Sequence, residues 1–229
     1  PCRAPLKRHR DLYPAVCMAM RDVEIVHIHA LWEEVQHAAA QFARAERIPY
    51  IFRPCGMLDP WSMEQRGFQK NVYLTLRLKR DLRKAAAIHF TSDEEKENAE
   101  KYHLGTRSLV LENGLSLDEF ETMPQRGLFR GAFPQIAGRK IILSMSRIHP
   151  KKGFDLLIPA FARAKLENCV LVIAGADDVN FTPTLLEFIR TEGIGDRVVL
   201  AGALNTRQRL EALADADLFV LPSYQENFG

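Results

Sequence analysis

The chain has 229 residues, of which 47% are hydrophobic and 26% charged, with 13 Gly and 12 Pro. That composition excludes a disordered tail, a collagen-like repeat and a disulfide-stapled mini-protein. Lys and Arg total 31 against 29 Asp and Glu, so the net charge of +2 lacks the basic surplus that nucleic-acid binding by counterion release requires.

At roughly 100 to 200 residues per domain, the length fits one large or two small domains. The start at Pro1 without Met and the stop at Gly229 after a polar run read as cut ends. Cys2, Cys17, Cys55 and Cys169 form no Cys-x-x-Cys pair. They read as buried thiols of a reducing compartment rather than as a zinc cage or redox dithiol. No apolar run approaches the roughly 20 residues that span a bilayer.

In chain order, the first half offers strand candidates at 24–29, 49–53, 87–91 and 108–111. Between them, 33–46 has a helical stripe of Val35, Ala38, Ala39 and Phe42, and 93–102 opens with a capping-type acidic turn. The stretch 70–84 combines Leu74, Leu78 and Leu82 on one stripe with Lys70, Arg77, Lys79, Arg80, Arg83 and Lys84. It reads either as a solvated face on a core-packed helix or as a contact with an anionic membrane surface. Met123 to Arg139 has no sustained period and carries Pro124, Gly127, Gly131, Pro134 and Gly138. We assign 123–138 as a linker between an N-terminal domain, 1–122, and a C-terminal domain, 139–229.

The second half reads more clearly. Near-continuous apolar runs at 141–145, 170–174, 198–201 and 218–222 have the pattern of strands buried on both faces. Helical segments at 154–161, 183–190 and 206–214 separate them. The β-α-β alternation predicts a doubly wound α/β parallel sheet in each half, with a cleft at the C-terminal strand ends.

Several residues at those ends carry chemistry. The loop Ser146 to Gly153 leaves a strand and enters a helix, bringing Arg147, Lys151 and Lys152 beside free helix amides, with Gly153 permitting close backbone approach. This suits a phosphate or diphosphate, and a plain basic surface loop is the competing reading. Past the last strand stands Glu226, a candidate acceptor of hydrogen bonds from sugar hydroxyls, with 227–229 able to open a helix. His27 and His29 share one face of a strand. They lack a convincing third metal ligand, which leaves His29 either bonded to a substrate hydroxyl or structural. Asp215-Ala216-Asp217 fits an Asp-x-Asp metal pattern but lies at the wrong end of its strand and reads as helix-terminal structure; Asp177-Asp178 reads as a turn. Gly-x-Gly-x-x-Gly, Gly-Lys-Ser/Thr and Gly-x-Ser-x-Gly are absent.

The order of these pieces resembles the retaining glycosyltransferases of family 4. The resemblance runs from Asp22 through His29, Gly56-Met57-Leu58-Asp59-Pro60-Trp61, Thr91 to Glu95 and Asn113-Gly114 to the second half. There it rests on Ser146-Arg147 with Lys152-Gly153, on Leu171 to Gly175, on Val199 to Gly202 and on Ala216 to Gly229. The first-half versions look like those of enzymes that build exopolysaccharide and lipopolysaccharide.

The resemblance implies a GT-B fold, two Rossmann-like domains facing a cleft, both incomplete here. It implies that Arg147, Lys152 and Gly153 bind the donor diphosphate and that Glu226 is the first glutamate of Glu-x7-Glu and faces the transferred sugar. By the same resemblance Asn227, Phe228 and Gly229 support sugar or phosphate, Leu204 lies beside the base, and His29 faces the sugar from the N-terminal domain. The second glutamate would lie beyond Gly229, and Cys55 stands where relatives often carry Arg. The implied activity is retaining hexosyl transfer from a nucleotide diphosphate sugar to a glycan or lipid-linked acceptor, with no required metal and no cofactor. The expected location is cytoplasmic, and peripheral contact at the inner membrane face through 70–84 rests on the second reading of that stretch rather than on the resemblance. A nucleotide-sugar-binding module without turnover, or an inactive fragment, is the alternative; nothing positive supports a GT-B epimerase.

Overall fold

Short apolar strands separated by helices can bury both faces only by stacking side by side under helical layers, and each half of the chain does so. The structure is a computed structural model that describes residues 9–226. It divides into two compact units, the first running to Gly114 and taking in Glu226, the second from Leu115 to Gln225.

The first unit comprises α1 (Leu12–Ala19), β1 (Val26–His29), α2 (Glu34–Ala45), β2 (Tyr50–Arg53), α3 (Pro60–Glu64) and α4 (Gly67–Tyr73). A π turn (Leu74–Leu78) then leads to α5 (Lys79–Arg83), β3 (Ala87–Phe90), α6 (Asp93–Glu100) and β4 (Ser108–Val110). All four strands are parallel, in the order β1-β2-β3-β4. Their core gathers Ile28, Phe52, Ile88 and Phe90 with Leu74, Leu78 and Leu82, the three leucines that the sequence pattern placed on one stripe. In α2, Ala38 is buried and Ala39 and Phe42 pack against the core as expected, whereas Val35 is exposed and Gln36, Ala40 and Ala43 also face inward. Gln36 can be buried because both ends of its amide are bonded: its Oε1 accepts from the Glu33 N–H at 2.9 Å, and its Nε2 donates to the His29 carbonyl at 3.2 Å.

The second unit comprises α7 (Leu128–Ala132), β5 (Lys140–Met145), α8 (Phe154–Ala164), β6 (Cys169–Ala174), α9 (Thr182–Thr191), β7 (Val198–Gly202), α10 (Thr206–Asp215) and β8 (Leu218–Phe219). Its sheet is parallel in the order β7-β6-β5-β8. Alternate residues serve opposite faces. Ile142, Leu171 and Ile173 pack against α8 and α9, and Ile141, Leu143, Val170 and Val172 pack on the other face with Phe129, Ile136 and Ala212. Residues 123–138 therefore include α7, whose Phe129 helps to cover the sheet.

Candidate functional site

The strand order of the second unit creates a topological switch point. From β5 the chain moves outward to β6 and β7, then returns to add β8 on the other side of β5. The loops that leave β5 and β8 at their C-terminal ends flank this reversal, which is where open parallel sheets bind ligands.

Two glycines bring the loops together. Gly153 has φ 67°, and a Cβ there would run into the Pro222 carbonyl oxygen in the loop after β8. At Gly175, after β6, a Cβ would strike the Ser146 carbonyl oxygen. Its N–H donates to the carbonyl of Gly202, the last residue of β7, at 2.7 Å. The Tyr224 N–H donates to the Lys151 carbonyl at 3.0 Å, and its hydroxyl bonds the Asp155 carboxylate in the first turn of α8. Sequence spacing gave no sign of this Tyr224–Asp155 tie, because the partners meet only once β8 lies beside β5.

The cations occupy the tie point. Arg147 is exposed and has no ion-pair partner among the described residues, while Lys151 and Lys152 are half-buried in a single 3-10 turn that ends at Gly153. His149 caps that turn, its Nδ1 accepting from the Lys151 N–H at 3.1 Å. Burial holds the His149 pKa below its ordinary value, aided by Arg147, Lys151 and Lys152, so the ring stays neutral and its acceptor nitrogen stays available. The neutral cap serves the turn, and the positive charge that an anionic ligand would meet here comes from Arg147, Lys151 and Lys152.

Of the other predicted residues, Glu226 lies two positions beyond Tyr224 and is half-buried, and Leu204 is half-buried against the core face that includes Val172 and Ala212. Asn227, Phe228 and Gly229 lie outside the described residues. Asp215, Asp217 and Asp177 hold backbone amides in place, in keeping with their structural reading from sequence. Asp215 accepts from the backbone N–H groups of Gly127 and Arg130 at the start of α7, and Asp217 accepts from Ile141 N–H at 2.8 Å. Asp177 accepts from the N–H groups of Phe181 and Thr182 at the start of α9, and hydrogen bonding by the Thr182 side chain, followed by the Phe181 N–H, holds its pKa at about 2.

On the first unit, β1, β2 and β3 bring His29, Arg53 and His89 into one lateral row at the strand ends. Arg53 bonds the Asn113 side-chain oxygen, and its buried Nε has no hydrogen-bond partner. His89 was not singled out in the sequence. Its Nε2 lies 2.8 Å from the Leu111 carbonyl and its Nδ1 3.2 Å from His27 Nε2. A carbonyl only accepts, so the neutral His89 carries its proton on Nε2, accepts on Nδ1, and thereby fixes a proton on His27 Nε2. The His27 and His29 rings stand 4.4 Å apart, centroid to centroid. Among the described residues, no group of three or more His, Cys, Asp or Glu is arranged to hold a metal. Beside this row, buried Glu95 ties the loop after β2 to that after β3, accepting from the Gly56 and Thr91 N–H groups.

Residues 128–229 match the model of the glycosyl transferases group 1 family. That span takes in the whole switch point. Over 123 residues the chain is 33% identical to a D-inositol 3-phosphate glycosyltransferase of Mycolicibacterium smegmatis, a match covering 52% of this chain and 28% of that protein. A glycogen synthase of Geotalea uraniireducens is 29% identical over 152 residues, covering 55% of this chain and 30% of the relative. Matched stretches thus span about a third of those relatives' length. Among solved structures, Anabaena HepE in complex with UDP-glucose superposes with a TM-score of 0.72 at 18% identity, covering 94% of this chain and 57% of that one. Sucrose-phosphate synthase from Thermosynechococcus elongatus does so with a TM-score of 0.70 at 17% identity, covering 98% and 58%. At such identities the likeness is one of fold, and the fold is the Rossmann-like α/β pair of the GT-B glycosyltransferases that the sequence implied.

Proposed function

We infer that the protein is a retaining glycosyltransferase that moves a hexosyl group from a nucleotide diphosphate sugar to a glycan or lipid-linked acceptor in surface polysaccharide synthesis. The observation that carries the reading is the switch point: Arg147 and Lys152 beside Gly153, in a loop locked to the one that leads to Glu226. Guanidinium and ammonium groups held at fixed positions can take the charge of a departing diphosphate without a metal. Further support comes from the group 1 match over these residues and from a fold neighbour solved with UDP-glucose. In this reading Glu226 and His29 act on the transferred sugar, Leu204 lies beside the base and Asn227 to Gly229 complete the donor site. The protein is cytoplasmic and requires no cofactor.

Calorimetry with UDP and GDP tests the donor site. Charge-assisted bonds are worth about 1.5–3 kcal/mol, so Arg147→Ala and Lys152→Ala should each weaken binding by roughly 10- to 100-fold. Undiminished affinity in both variants, at unchanged circular dichroism, sinks the assignment. Product analysis with nucleotide sugars then separates transfer from binding without turnover, the competing reading.

A further inference from the structure

Among the described residues of the first unit three arginines are half-buried, Arg44, Arg53 and Arg77, and two of them are neutralised. Arg44 bonds the Asp81 carboxylate at 2.7 Å, and Arg77 bonds that of Glu34 at 2.9 Å. Arg53 has an amide instead. It donates to the Asn113 side-chain oxygen, and its buried Nε has no hydrogen-bond partner. Glu95, the buried carboxylate of the neighbouring loops, is already taken by the N–H groups of Gly56 and Thr91 and by the Thr91 hydroxyl at 2.9 Å. A guanidinium keeps its charge at every working pH, so withdrawing it from water without an anion costs free energy that a bound anion restores.

The place of Arg53 in the sheet narrows the kind of anion. Arg53 is the last residue of β2, paired in register with His29, the last residue of β1. Laterally paired residues of a parallel sheet point to the same face about 5 Å apart. The Ala30 N–H donates to the Arg53 carbonyl at 3.0 Å, which fixes that spacing where the chain turns out of β1. Burial, with Arg53 adding to it, lowers the pKa of the His29 ring, so a neutral imidazole stands beside the guanidinium. The local charge is therefore that of one arginine. It matches the single charge and planar fork of a carboxylate, whereas a phosphate carries nearly two charges and suits the cations of residues 147–152 better.

We propose that Arg53 binds the carboxylate of an acidic sugar, of the hexuronate class, in the acceptor glycan. The inference rests on the reading of His29 as facing the transferred sugar. One strand spacing away, a carboxylate on Arg53 belongs to the acceptor residue that receives that sugar or to its neighbour. Arg53 is then a specificity-determining residue: it selects an acidic over a neutral glycan, because the neutral one leaves the guanidinium without an anion.

NMR of the histidine rings tests this, with methyl glucuronoside, methyl glucoside and pyrophosphate as probes. The glucuronoside should shift the His29 ring and raise its pKa, since a negative charge then lies beside it, and should do so at concentrations at least about tenfold below those the glucoside needs. Arg53→Gln should weaken glucuronoside binding about tenfold or more and Arg53→Lys should restore part of it, with UDP binding in calorimetry unchanged in both. Equal responses to glucuronoside and glucoside, undiminished binding in Arg53→Gln, or tighter binding of pyrophosphate at the same ring overturns the proposal. The comparison of probes uses the wild-type protein, so it decides the matter even where Arg53→Gln does not fold. UDP binding that depends on Arg147, without glucuronoside binding, removes this inference alone. Glucuronoside binding without UDP binding removes the donor-site reading and leaves Arg53 a uronate site.

Discussion

His27 and His29 leave β1 on the same face, and their surroundings oppose a proton on either ring. Burial lowers the pKa of both; the neighbouring histidines and Arg53 add to the effect at His27, and Arg53 and His89 do so at His29. In the unfolded chain each ring returns to about 6.5. Below that pH the unfolded state binds more protons than the folded one, so stability is full above about pH 6.5 and falls as pH drops toward the folded values. Urea midpoints taken between about pH 7.5 and 5.5 should decline, and His29→Gln should flatten the slope. An unchanged slope in that variant contradicts the account. The sequence made His29 legible, since a histidine at a strand end is visible in the pattern. It could not show His89, which reaches His27 only through the register of three strands.

Among the elements, α7 depends on one carboxylate. Asp215, 0% exposed at the end of α10, accepts from two N–H groups of the α7 start, and Arg130 donates back to its carbonyl at 3.1 Å. Asp215→Ala strands two amide donors and removes a negative charge from a helix N-terminus, so a loss of roughly 2–4 kcal/mol in urea unfolding is expected. A change within about 0.5 kcal/mol would show that the amides find other partners. This helix was hidden in the sequence because Gly127, Gly131 and Pro134 break its period and it has only five residues. β5 and β6 were plain for the opposite reason: buried on both faces, they read as unbroken apolar runs. β8 is shorter than its run suggested, because after the Val220 N–H bonds the Leu143 carbonyl the chain leaves the ladder at Leu221 and Pro222 to form the loop that meets Gly153.

For the whole molecule, the main fact is that each unit encloses its own apolar core. Phe90, 2% exposed, belongs to the first. Phe90→Ala should cost about 3–5 kcal/mol, and the amides of Ile28, Phe52 and Ile88 should exchange on the order of a hundredfold faster. Leu143 and Leu171, in the second unit, should change less; an equal loss in both units would show that they open together. The α/β class and the two-unit plan were legible because strand and helix periods alternate along the whole chain. The extent of the second unit was not, since the residues 115–138 that join it carry no strand signal.

The π turn between α4 and α5 sets where the length of this stretch can change. A π turn amounts to one extra residue threaded into an α-helix. Deleting a single residue between Leu74 and Leu78 would close the turn to α geometry and leave Leu82 close to its core face, because the bulge already absorbs the extra residue. A one-residue deletion in α4 or α5, where no bulge absorbs it, would turn everything downstream by about 100° and swing Leu82 out of the core. Natural changes of length within 67–83 should therefore collect at Leu74–Leu78.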